Sequence, residues 1–157
     1  MKWLTAAGLA LALAYSVPVF AQDSAASNRE ILLDKIKADK KLVVAENMGL
    51  TETEAKAFWP IYDAYQKDLG LINERLGKAI SAYAAAYNKG AIPDATAKQL
   101  MDEALSVEEA EVKLKRTYAS KLLPVMPASK VARYIQIETK IRSLIKYELA
   151  DQIPLVH

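Results

Sequence analysis

Acidic and basic side chains are placed unevenly along this chain. Residues 94–111 carry six acids (Asp94, Asp102, Glu103, Glu108, Glu109, Glu111) against Lys98. Residues 113–146 carry nine bases (Lys113, Lys115, Arg116, Lys121, Lys130, Arg133, Lys140, Arg142, Lys146) against Glu138. Clustered carboxylates could hold a cation or exchange protons, and a basic face could draw in acidic or partly unfolded polypeptide. The first use is not expected. The chain has no cysteine and a single histidine, His157, which leaves zinc, thiolate and His-relay chemistry without their usual groups. Glu103, Glu108, Glu109 and Glu111 read as a solvated helix face. No serine has a candidate base, no glycine-rich loop precedes a helix, and no isolated carboxylate pair stands on an apolar face. The expectation is therefore no enzyme, no catalytic residue, no metal and no cofactor. The basic run has two readings. Lys113, Arg116, Arg133, Lys140 and Arg142 either steer a client or partner, or form a solvated face with bases favoured near helix C-termini. A formal charge of +2 over 157 residues gives none of the field that nucleic-acid binders use.

Aromatic residues supply the second candidate chemistry. Phe58, Tyr62 and Tyr65 fall on a helical seam and read as core, whereas Trp59 and Tyr87 lie off it and could hold flexible apolar segments. Gly70, Gly77 and Ala84 recur every seven residues beside the seam. Each glycine costs about 1 kcal/mol against alanine in a helix interior, so the strip is expected to let another helix approach closely, a second subunit included.

The elements that must carry these residues are helices. Alanine is frequent, and glycine plus proline total 11 of 157 residues. Residues 1–21 combine a basic start, an apolar run of about 15 residues and small residues at Val19 and Ala21, which predicts a signal peptide cleaved after Ala21. Export to a periplasm follows, with no membrane span after cleavage. Residues 22–27 read as a flexible tail and 28–157 as one all-helical domain.

Helix one is predicted from Asn28 to Asn47, opened by a capping box at Ser27 and Glu30, with Leu32, Ile36 and Val43 inward and Gly49 just past its end. Thr51 and Glu54 form a second capping box. From there Phe58, Tyr62, Tyr65, Leu69, Ile72, Leu76, Ala79, Tyr83 and Ala86 alternate steps of four and three, predicting a helix of about 37 residues kinked, not broken, at Pro60. Asn88–Thr96 is the loop. Helix three follows to Leu122 with Leu100, Ala104, Val107, Leu114 and Tyr118 as its stripe, and helix four runs from Ala128 to Ala150. Glu52–Lys56, Glu74–Lys78, Glu109–Lys113, Glu111–Lys115 and Glu138–Arg142 read as exposed i,i+4 pairs. The apolar tail at Ile153–Val156 is expected to dock. The architecture is an elongated all-α, four-helix protein with long antiparallel helices.

Leu50-Thr51-Glu52-Thr53-Glu54, followed by Phe58, resembles the L-T-x-x-Q element of the periplasmic Spy/CpxP family. Met126-Pro127-Ala128-Ser129-Lys130, followed by Tyr134, reads as a degenerate second copy, with Glu54 and Lys130 standing where the family has glutamine. The resemblance implies a curved antiparallel homodimer acting as an ATP-independent chaperone or an envelope-stress modulator. The histidines of the family's zinc-binding branch have no counterpart here. Two functions are thus expected, capture of partly unfolded polypeptides or docking of a single regulatory partner such as a sensor domain. A ligand-binding module would need a pocket, which spacing does not reveal.

Overall fold

A computed structural model describes residues 31, 34, 36 and 38–156, so the signal-peptide reading, the tail, the Ser27–Glu30 box, Leu32 and His157 lie outside the described residues. Among the described residues the chain is all-α, with four helices and no strand. Helix α1 comprises the helical residues up to 48, α2 Glu52–Tyr87, α3 Asp94–Leu122 and α4 Ala128–Gln152. None of them is long and apolar enough to cross a membrane.

Local chemistry sets the helix boundaries. Gly49, at φ +56°, follows the last residue of α1 in the left-handed region that side chains avoid. Thr51 caps α2: its Oγ1 accepts from the Glu54 amide at 3.3 Å, and the Glu54 carboxylate accepts from the Thr51 amide at 2.8 Å. The helix then runs 36 residues, unbroken at Pro60, about 54 Å at 1.5 Å per residue. Helix α3 begins at Asp94, directly after Pro93, two residues before the predicted end of the loop. Proline presets the dihedral that enters a helix, so the turn is shorter than its composition suggests.

Side-chain pairs give the register. Lys41 with Asp63 and Lys40 with Gln66 set α1 antiparallel to α2. Asp68 with Tyr118 and Arg75 with Glu103 set α3 antiparallel to α2. Glu111 with Arg142 and Glu108 with Lys146 set α4 antiparallel to α3. Helices α2 and α4 therefore run parallel, and the segments 50–54 and 126–130, read above as two copies, meet where both begin. Lys130 Nζ pairs with the Glu54 carboxylate and donates to the Gly49 carbonyl at 2.9 Å. Phe58 and Tyr134 meet edge to face with ring centroids 5.1 Å apart. Both pairs join residues that the two copies place in equivalent positions.

The core is concentrated at this end. Val44, Met48, Phe58, Leu122 and Tyr134 are fully buried, surrounded by Tyr62, Tyr65, Tyr118, Val131 and Ile141. The α2 seam fills as predicted, but only its first four members are buried. From Ile72 to Ala86 the seam is half-buried, because α1 does not extend along the second half of the α2–α3 hairpin among the described residues.

Four buried tyrosines give this core a pH limit. Burial raises the phenols of Tyr62, Tyr65 and Tyr134 well above the ordinary range, with the Glu138 charge second in each. Tyr118 is pushed up to about 12 by burial and by its hydrogen bond to Asp68. A raised folded pKa stabilises fully below the unfolded value of about 10 and loses that contribution as pH rises through the folded value. At the acid end, the Lys130 hydrogen bond holds Glu54 below the usual carboxylate range, and the Arg75 hydrogen bond does the same for Glu103. Their contribution is present above the unfolded value of about 4.3 and is lost as pH falls through the lowered folded values. The expected result is a plateau of urea midpoints between these limits and a fall on either side. Tyrosinate absorbance rising together with loss of helical circular dichroism would mark the alkaline limb. Helices that stay intact after all the tyrosines have ionised would contradict it.

Candidate functional site

Two buried carboxylates organise the space between the helices. Glu138 on α4 is 2% exposed. Its Oε2 accepts from Lys40 Nζ of α1 at 2.8 Å and its Oε1 from Gln66 Nε2 of α2 at 2.9 Å, while Lys40 also donates to Gln66 Oε1 at 2.9 Å. Three helices are tied through one carboxylate with both oxygens engaged.

Glu111 on α3 is 5% exposed. Its Oε1 accepts from Arg142 Nη2, and its Oε2 lies 3.2 Å from Lys146 Nζ. Burial pushes the Glu111 carboxyl up, but Arg142 and Lys146 outweigh it and hold the group below the usual range. Arg142 Nη1 donates to Asn73 Oδ1 at 2.9 Å, and its Nε is buried without a partner. These contacts correct four expectations. Glu111 does not belong to a solvated face, Glu111–Lys115 and Glu138–Arg142 are not exposed pairs, and Arg142 is not free to steer a partner. Each side chain points inward because it sits where the apolar stripe has a gap, Glu111 between Val107 and Leu114 and Glu138 between Tyr134 and Ile141. Glu103 is not simply solvated either, since its carboxylate takes both nitrogens of a bidentate Arg75 contact at 2.5 and 2.9 Å. Among the described residues no three His, Cys, Asp or Glu side chains gather as a metal site would require.

The remaining predicted site residues are dispersed. Lys113, Arg116, Arg133 and Lys140 are exposed, and none has an ion pair among the described residues. On their helices they lie opposite the buried stripe, so they form solvent-facing cationic positions on α3 and α4. Trp59 is half-buried, edge-on to Phe58 and Tyr62 with Lys41 Nζ 5.1 Å above its ring, and so roofs the core. Tyr87 is half-buried beside Tyr83, ring centroids 6.0 Å apart. Among the described residues a Cβ placed on Gly70 or Gly77 meets nothing within 4 Å, and Ala84 is exposed.

The feature that spacing did not reveal is a groove of about 480 Å³ along the thin half of the hairpin. Leu76, Ile80 and Tyr83 form its α2 wall, Leu100 and Met101 its α3 wall, and Leu149 its α4 wall. The C-terminal tail closes one side through Ile153 and Val156, with Tyr83 Oη donating to the Pro154 carbonyl at 2.7 Å. The predicted docking of the tail is met at these residues, while Leu155 stays 89% exposed. Only Glu108, Glu111 and Lys146 bring charge, and Met101 and Leu105 stand exposed on α3. Such a surface can take up apolar side chains of another molecule at modest affinity. Comparison with known proteins finds no match to a family model, to a curated protein or to a solved structure.

Proposed function

We propose that this protein is exported to the cell envelope and binds partly unfolded polypeptides there without ATP. The observation that carries this reading is the open, apolar groove along the thin half of the hairpin. Exposed cations at Lys113, Arg116, Arg133 and Lys140 support it by offering long-range attraction to acidic or flexible chains. Release would follow client folding, which removes the apolar segments that the groove holds. The resemblance to the Spy/CpxP family belongs to the same proposal and is supported by the meeting of Glu54 with Lys130 and of Phe58 with Tyr134. A homodimer is proposed on the open strip at Gly70, Gly77 and Ala84.

Light scattering of chemically denatured clients, with and without the purified protein and with ATP omitted, tests the reading. Suppression of aggregation is expected across several unrelated clients. Charge reversal of Lys113, Arg116, Arg133 and Lys140 to Glu is expected to slow capture several-fold at low salt and to leave helicity unchanged. No suppression at several-fold molar excess would reject the chaperone reading in favour of a regulator docking one partner.

A further inference from the structure

Inside the thick half of the molecule lies a second cavity of about 310 Å³, lined from all four helices and meeting the groove at Glu111. Ile36, Leu69, Ile141, Ile145 and Tyr65 give it apolar walls, and Gln66 and Asn73 also line it. Five charged groups also face it: Lys40, Lys115 and Arg142 against Glu111 and Glu138.

The carboxylates have no oxygen to spare. Glu138 is engaged by Lys40 and Gln66, and Glu111 by Arg142 and Lys146. Lys115 is half-buried, lies one turn beyond Glu111 on α3, and has no hydrogen bond or ion pair among the described residues. Arg142 brings the buried Nε–H that also lacks an acceptor. A buried donor without an acceptor is unfavourable, and the half-buried Lys115 in the lining can likewise take an anion. The site thus combines one uncompensated positive charge, an unused guanidinium N–H and an aliphatic lining.

We propose that this cavity binds an organic monocarboxylate with a short aliphatic body, its carboxylate on Lys115 and its chain against Ile36, Leu69, Ile141 and Ile145. A dianion such as phosphate is disfavoured by the two carboxylates already present and gains nothing from the aliphatic walls. A volume at the low end of the ~300–1,000 Å³ typical of ligand pockets selects a chain of about the length of octanoate. This site adjoins the groove at Glu111 but does not depend on polypeptide capture.

Thermal unfolding of the full chain with octanoate tests the proposal, with octanol, acetate and inorganic phosphate as comparisons. Octanoate is expected to raise the midpoint saturably, and the other three are expected to leave it unchanged. Lys115→Met is expected to weaken the octanoate effect at least about tenfold, the loss of one charge-assisted contact. Lys113→Met, on the outer face of the same helix, is expected to leave it intact. Lys115 is in no ion pair among the described residues, so its replacement is expected to preserve the fold, which circular dichroism without ligand checks. No saturable shift, an equal effect of octanol or phosphate, or an undiminished effect in Lys115→Met would overturn the site.

Discussion

Phe58→Ala is expected to lower the unfolding free energy by about 3–5 kcal/mol, the range for removing a buried aromatic from a core that does not collapse around the gap. Phe58 is fully buried, and three rings lean on it: Trp59 and Tyr134 edge-on at 4.9 and 5.1 Å and Tyr62 tilted at 5.9 Å. Truncation removes the shared support of a cluster that joins α2 to α4, and stiff tyrosine and tryptophan rings close a hole poorly. Against a total stability of about 5–15 kcal/mol for an ordinary domain, the loss is large. Phe58→Leu keeps much of the volume and is expected to cost less than half as much. Urea unfolding followed by circular dichroism measures both. A Phe58→Ala cost below 1.5 kcal/mol would mean that the aromatic cluster is not the core's principal support.

Lys40→Met is expected to cost about 3 kcal/mol, at the lower end of the range for breaking a buried ion pair, because the Lys40 side chain is itself 21% exposed. Its loss leaves the Glu138 carboxylate, 2% exposed, with Gln66 as its hydrogen-bond donor and no neutralising charge. Glu138→Met alone is milder, since Lys40 can turn toward solvent. The double substitution is expected to recover most of the loss, because two apolar side chains of similar volume replace both charges together. A coupling energy of about 2 kcal/mol in the resulting cycle would identify the pair as the strap holding α1 to the other helices. Strict additivity would show that solvent screens the contact and that α1 is held by its other contacts, chiefly Ile36, Val43, Val44 and Met48.

Much of this architecture is legible in the residues themselves. The 3.5-residue recurrence from Phe58 onward fixes α2, Thr51 with Glu54 fixes its start, and Gly49 marks the end of α1. The charged interior was not legible for a physical reason. Periodicity locates burial by apolarity, so a glutamate standing in the stripe looks like an interruption in it. Glu111 follows Val107 by four residues and precedes Leu114 by three, and Glu138 stands likewise between Tyr134 and Ile141. Those intervals were the available signal. What no interval on one helix can supply is the partner, since Lys40 and Arg142 reach these carboxylates from other helices. The same limit hid the groove and the cavity, each a property of how helices end beside one another.

The uneven thickness of the bundle has a consequence for how it moves. Among the described residues the bundle is four helices thick at one end and thinner at the other, so its two ends are expected to open separately. The hairpin from Ile72 through Leu100 has few fully buried side chains to lose, so it forms a low-stability unit that can fray while the tyrosine-rich end stays closed. Its excursions widen the apolar groove at a small fraction of the global unfolding free energy. The surface proposed to receive polypeptide is thereby built on the part of the molecule that yields most easily, anchored to a part that does not.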